Sequence, residues 1–436
     1  MKISRDKYVK QLAAKSWNDK VKIITGIRRC GKSYLLNTLY RDYLLENGVV
    51  ANQIISIDLE KKSDIKFRNP NMLHDYIISK AHDKSKQYYV FIDEIQLSLK
   101  IKNPDFDGVE VAEEDKDLLY ITFYDILNDL NDVENIDVYV TGSNSKMLSK
   151  DIVTYFRDRG SEIKVYPLSF SEYVSTTSSE KSDAFEEYIR YGGMPLAVLE
   201  HDEKEKVDYL KTLHKRVYFK DIVERYNLKD DVILDALTDS LYSAVGSLTN
   251  IHNLANTAST LMKKGTSDNT IKKDIEYLED AYLMQHAQRY DIKGKKYFEY
   301  PQKYYAMDIG LRNAKLNFRQ QDPGHLMENV IFNELMLRGY SVDVGVVPVV
   351  KMTEGKKSMT QYEVDFVVNT GTSKLYIQSS WDLASEGKRE QETMSLRNTG
   401  DFFRKIVIVS GNHKAWTDDD GITYVGIVPF LLNESI

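Results

Sequence analysis

A single cysteine, Cys30, stands in 436 residues, which excludes an intramolecular disulfide framework and any cysteine-cluster metal site and suits a reducing compartment. Long apolar runs are missing as well. No stretch approaches the roughly 18 to 20 uncharged apolar residues that span a bilayer, and the opening MKISRDKYVK holds no apolar signal core. The expectation is a cytoplasmic chain without a membrane partner. Nor is there an excess of basic charge: 59 Lys and Arg against 66 Asp and Glu leave a net charge of -7. No global field draws the chain onto nucleic acid, so any such contact must come from a local patch. Internal repeats and low-complexity tracts are absent too.

What is present is enough apolar character, 42%, to build real cores, over a length that one core rarely organises; two or three domains follow. Up to about residue 175, short β-branched or aromatic runs alternate with amphipathic stretches, the pattern of a parallel sheet covered by helices. Strands are expected at Lys22 to Thr25, Ile54 to Leu59, Tyr88 to Ile92, Ile136 to Thr141 and Ile163 to Leu168. An exposed insertion, LKIKNPDFDGVEVAEEDKDLLY, follows the third. The fold class is α/β. Residues 176–246 read as helical. Residues 247–321 read as helix, turn, helix and hairpin, with a cap at Ser267 or Asp268 and a hairpin turn near Lys293-Gly294-Lys295. That order is winged-helix order. Past Asp322-Pro323-Gly324 a separate C-terminal α/β domain, 322–436, is expected.

ITGIRRCGKSYLL places Gly26, four residues, then Gly31-Lys32-Ser33 between a strand and a helix, the full spacing of a phosphate-binding loop. Glycines let the backbone curl until its N–H groups converge on a phosphate, and the helix adds its positive end. Gly26, Ile27, Arg28, Arg29, Cys30, Gly31, Lys32, Ser33 and Tyr34 are therefore candidate ATP-binding residues. Lys32 is expected to bridge the β- and γ-phosphates and Ser33 to ligate Mg²⁺. Of Arg28 and Arg29, one is a candidate phosphate contact and the other a partner for an acidic neighbour.

The third strand ends in Asp93-Glu94, two carboxylates at the edge where open α/β sheets bind ligands. Asp93 suits Mg²⁺ and Glu94 suits a general base on the attacking water; the bland alternative is a helix cap. After the next strand, Asn144, in preference to Ser143, is a candidate for positioning that water. In TYFRDRGSEIKVYPL, Arg157 and Arg159 suit an arginine finger offered to a neighbouring subunit's nucleotide, against a surface salt bridge as the alternative.

Together, GIRRCGKS, FIDEIQ, VTGSNS, the RDRG before YPLSFSEY, YGGMP at Tyr191 to Pro195, HLMENVIFNELMLRGY, YEVDFVV and YIQSS resemble prokaryotic AAA-type ATPases paired with a C-terminal domain of unknown function that looks like a restriction endonuclease fold. The resemblance runs nearly end to end. It implies an AAA-type core, a helical and winged-helix middle, and a degenerate nuclease-like end.

In the middle segment, Ile271, Ile275 and Leu278 would face the core and leave Asn269, Lys272, Lys273 and Glu276 outward. Residues 246–316 hold 11 Lys and Arg against 8 Asp and Glu, and Lys293, Lys295 and Lys296 with Tyr290 and Tyr297 on the hairpin are candidates for a DNA backbone. DNA is thus a candidate partner, with protein docking as the alternative. A nuclease of the resembled type needs a helix glutamate, a strand aspartate and an acid-x-lysine. Here Glu328 and Asp365 fill the first two places, but Gln378-Ser379-Ser380 occupies the third, so the lysine is missing. Lys374 is the candidate replacement, and Glu328, Glu363 and Asp365 are otherwise buried polar structure.

Overall fold

The computed structural model describes residues 2–142, 160–228, 231–262, 265–353, 356–383 and 386–433, which fall into two compact units, Lys2–Val165 and Tyr166–Ile436. In the first unit β1 (Val21–Thr25), β2 (Ile54–Asp58) and β3 (Tyr88–Asp93) are followed by two short strands, β4 (Ile101–Lys102) and β5 (Tyr120–Ile121), and then by β6 (Ile136–Thr141) and β7 (Gly160–Lys164). Five of these form one sheet in the order β2-β3-β6-β1-β7, with every pair parallel. β1, β3 and β6 are buried at every position, as expected of central strands covered on both faces. One face packs Ile23, Val90 and Val138 against Leu73, Ile77 and Leu127 of two helices, Pro70–Lys80 and Phe123–Asn131. β4 and β5 pair antiparallel at the base of the acidic insertion, whose residues are mostly exposed.

All five expected strands form, with one displacement. The last lies over Gly160–Lys164 rather than Ile163 to Leu168, because its register along β1, from Val21↔Gly160 to Thr25↔Lys164, uses the whole of β1. Val165 N–H then closes on the Thr25 carbonyl at 2.8 Å, and Pro167 has no N–H with which to continue a ladder.

In the second unit, helices Lys181–Tyr191, Glu203–Thr212, Lys220–Arg225 and Val232–Ser243 precede a nine-stranded sheet. Its strands are β8 (Leu248–Thr249), β9 (Met284–Asp291), β10 (Lys296–Ala306), β11 (Ser341–Thr353), β12 (Lys356–Asn369), β13 (Lys374–Ser380), β14 (Arg404–Val409), β15 (Trp416–Thr417) and β16 (Ile422–Gly426). The order is β15-β16-β14-β13-β12-β11-β9-β10-β8. Residues 247–321 and 322–436, expected to be separate, share this sheet, because β9 pairs in parallel with β11 through Val344↔Arg289 and its neighbours. A hairpin edge exposes unpaired backbone groups, and here another strand takes them up.

Local signals in that segment act as read. Helix Asp268–Asp280 begins at Ser267, whose side chain accepts the Thr270 N–H, and it buries Ile271, Ile275 and Leu278 while Asn269, Lys273 and Glu276 stay exposed. Lys272, expected outward with them, is half-buried, 3.5 Å from Glu299 and over the Tyr300 ring. The β9–β10 turn spans 292–295 and leaves Lys293, Lys295 and Lys296 exposed. The long helix Pro323–Leu337, capped by Asp322, packs Met327, Ile331 and Phe332 on Phe366, Ile377 and Ile406.

YPLSFSEY and YGGMP form one clasp. Leu168 N–H donates to the Gly193 carbonyl at 2.7 Å, and Gly193 N–H donates to the buried Asp308 carboxylate at 2.7 Å. A Cβ at Gly193 would collide with the Leu168 carbonyl, and one at Gly192, whose φ is +73°, with the Asp308 carboxylate. Among the described residues no helix is long and apolar enough to cross a membrane.

Candidate nucleotide site

β1 ends at Thr25 and the chain turns at once. Gly26 has φ +138°, and a Cβ there would run into the Val165 carbonyl. Arg29 at φ +63° and Gly31 at φ +98° complete the curl, after which a helical run begins at Lys32 and continues to Glu46 with a π turn at Leu35–Tyr40. Three positive φ angles in six residues turn successive N–H groups inward, as an anion-binding loop requires. Lys32 is buried and folds back over the loop, its Nζ donating to the Gly26 carbonyl at 2.8 Å and the Ile27 carbonyl at 3.1 Å. Ser33 and Tyr34 are exposed on the first helical turn. Ile27 and Cys30 are buried, and the Cys30 thiol faces the Val165 carbonyl at 3.5 Å, so it lies behind the loop and out of reach of solvent.

β6 lies between β1 and β3, which sets its last residue, Thr141, between the loop and the two carboxylates. The Thr141 hydroxyl donates to Asp93 and accepts the Glu94 N–H at 3.0 Å, so one buried side chain holds both acids. Glu94 sits at φ +54°, a left-handed conformation that a non-glycine residue keeps only when its surroundings fix it. Burial pushes the Glu94 carboxyl above its ordinary range, the Lys32 ammonium draws it down, and Asp93 pushes it up again; the net direction is upward. A carboxyl raised in this way is a stronger base than an ordinary glutamate.

A cavity of about 440 Å³ opens beside the loop, lined by Ser33, Tyr34, Arg41, Asp58, Lys61 and Asp93 among others. Ser33 and Asp93 thus face one space from the loop and from the strand tip. No group of three or more His, Cys, Asp or Glu among the described residues is arranged to hold a metal ion. The oxygen pair Ser33 and Asp93 instead fits Mg²⁺ whose remaining ligands are phosphate oxygens and water. Asn144, Arg157 and Arg159, with Ser143, lie outside the described residues.

A family model described as an AAA domain matches residues 18–174, and one described as a domain of unknown function (DUF8612) matches residues 182–322. An uncharacterized protein of Haemophilus influenzae is 32% identical over 435 residues, covering 99% of this chain and 98% of that relative. The chain belongs to the same family as that protein, within the P-loop AAA ATPases. An uncharacterized protein of Methanocaldococcus jannaschii is 27% identical over 431 residues, covering 94% of this AAA chain and 87% of the relative. Among solved structures, a Walker-type ATPase of Pyrococcus abyssi aligns with a TM-score of 0.46 and 13% identity, covering 72% of this chain and 96% of that one. The AAA domain matched over residues 18–174 contains both the loop and the strand tip.

The AAA chain has a second polar cluster, in its C-terminal sheet. Glu328, Asp365 and Gln378 do come together, lining a cavity of about 660 Å³ with Glu363, Glu392 and Lys303. Lys303, from β10, is 3% exposed, and its Nζ lies 2.9 Å from Glu328, 2.7 Å from Glu363 and 3.4 Å from Asp365. Burial opposes that ammonium's charge, but Glu328, Asp365 and Glu363 together leave its pKa well above the ordinary lysine value. Burial, with Glu328 beside it, pushes Asp365 up to about 7. Lys374 does not reach this cluster: its Nζ lies 3.4 Å from the Tyr290 hydroxyl. Four residues of strand separate it from Gln378, about 13 Å at ~3.3 Å per residue. Lys303 was signalled only by being a lone lysine in the apolar, aromatic run QKYYAM, where burial demands partners.

Proposed function

We propose that this AAA chain hydrolyses ATP with Mg²⁺ at Gly26–Ser33 and acts as a nucleotide-driven switch. The observation that carries the reading is the joint anchoring of Asp93 and Glu94 by Thr141, beside the curled loop and Lys32. The loop's N–H groups and Lys32 bind the β- and γ-phosphates, for which Lys32 exchanges its two loop carbonyls. Ser33 and Asp93 would hold Mg²⁺, which supplies charge neutralisation at the phosphates. Glu94 orients a water in line with the γ-phosphate and takes its proton, helped by Asn144. Arg157 or Arg159 is the candidate finger, offered to a neighbouring copy's nucleotide in a homo-oligomer. Phosphate release that requires Mg²⁺, is abolished by Lys32→Ala and rises in specific activity with protein concentration supports this reading; release unaffected by Lys32→Ala contradicts it.

DNA contact through residues 247–321, read as a winged helix, is a further part of the proposal. It rests on the exposed Lys273, Lys293, Lys295 and Lys296. Duplex binding whose salt slope shrinks in Lys295→Ala supports it, and no binding at low salt argues for protein docking instead. A second reading, a nucleotide-gated nuclease, is favoured by one observation, the Lys303 ammonium among Glu328, Glu363 and Asp365. Metal-dependent DNA cleavage lost in Asp365→Ala would support it, and no cleavage with Mg²⁺ or Mn²⁺ and ATP would remove it.

A further inference from the structure

The segment ahead of the first helix, Asp6–Ala14, is held against the phosphate loop and the helix that follows it. Ile3 and Arg5 are 6% and 2% exposed, and Lys2 pairs with Asp42, on the helix that follows the phosphate loop, at 2.6 Å. Arg5 lies with its guanidinium 4.5 Å from the centre of the Tyr8 ring and donates from Nη1 to the carbonyl of Cys30 at 3.1 Å. Cys30 is a residue of the loop itself, and it is fully buried. We propose that Arg5 is a positioning residue for the phosphate loop, fixing the Cys30–Gly31 peptide so that the Gly31 N–H points at bound phosphate. This rests on reading Gly26–Ser33 as the nucleotide site.

The reasoning is geometric. A trans peptide holds its C=O and N–H on opposite sides of the C–N bond. The Cys30 carbonyl is drawn toward a buried guanidinium, into the interior. The N–H of the same peptide, that of Gly31, must then point outward, toward the open side of the loop. Gly31, at φ +98°, has little intrinsic preference for that orientation, because glycine populates both signs of φ. An external clamp is therefore the means of holding it. Arginine suits the task because it stays charged when buried and its planar fork is rigid.

The test compares binding of a fluorescent ADP analogue by the native chain, Arg5→Met, Arg5→Lys and Lys32→Ala, each first shown to be folded by thermal melting without nucleotide. A charged hydrogen bond that orients a phosphate donor corresponds to about a tenfold change in affinity. Arg5→Met is expected to bind about tenfold more weakly, with Arg5→Lys recovering most of the loss. A loss of threefold or more supports the proposal and a smaller one overturns it. Should Arg5→Met not fold, Arg5→Gln replaces it under the same threshold. A simple structural anchor would lower the melting midpoint and leave the folded protein's affinity unchanged, which also overturns the proposal. Lys32→Ala separates the two levels: if it binds ADP like the native chain, the nucleotide-site reading fails, whereas loss there with Arg5→Met unchanged defeats the Arg5 assignment alone.

Discussion

Thr141→Val replaces a hydroxyl by a methyl of nearly the same shape, so packing is preserved and chemistry is not. Thr141 is fully buried, and its hydroxyl makes two bonds, one to the Asp93 carboxylate and one from the Glu94 N–H at 3.0 Å. Losing a charge-assisted bond and leaving a backbone N–H without its acceptor costs about 2 to 3 kcal/mol. For a unit of this size that is a fall in melting midpoint of about 5 to 10 °C. The same bonds hold Glu94 in its left-handed backbone conformation, so turnover should fall more than binding: about tenfold or more in kcat, with ADP affinity within about threefold, since the loop is untouched. Thr141→Ser keeps the hydroxyl and should stay near native. Phosphate release and ADP binding, measured on all three proteins with their melting curves, decide the matter. Native turnover in Thr141→Val would refute the claim that this side chain organises the acidic pair.

Gly26→Ala should destabilise by more than about 3 kcal/mol and abolish nucleotide binding, because φ is +138° and the new Cβ meets the Val165 carbonyl; urea unfolding and ADP binding check it. Cys30 should resist alkylation in the native state at rates set by opening of the unit, with ADP slowing it further by mass action, because its thiol is fully buried; mass spectrometry over time reads this. Burial, with Glu328 beside it, raises the folded pKa of Asp365 to about 7 from an ordinary value of 3.8. Its contribution is therefore fully present below the lower value and is lost as pH rises through the higher. Asp365→Asn should then gain stability relative to the native chain between about pH 4 and pH 7, and parallel unfolding curves across that range would contradict it.

Much of the first unit was legible because its signals are local. Gly26 and Gly31 at fixed spacing announce a curl that only glycine makes cheaply, and YYVFIDE is a buried strand ending in acids. What was not legible was lateral. Nothing in VYVTGS says that β6 lies between β1 and β3, yet that placement gives Thr141 its work. Likewise QKYYAM reads as a strand of a hairpin, and only the pairing of β9 with β11 brings Lys303 to Glu328, Glu363 and Asp365. The expected reach of Lys374 failed for the same reason, since strand alternation gives the face and not the neighbours along the sheet. YGGMP carried a strong signal whose meaning, close backbone approach to Leu168 and Asp308, needed the partner segments to be seen.

The most direct test of the central claim is phosphate release and retained nucleotide in Glu94→Gln with Mg²⁺ and ATP. An amide cannot take the proton, so turnover should fall by about a hundredfold or more, with ATP, not ADP, recovered from the protein after rapid filtration. Turnover equal to that of the native chain, with ADP recovered, would contradict the assignment of Glu94 and with it the hydrolytic reading of the site.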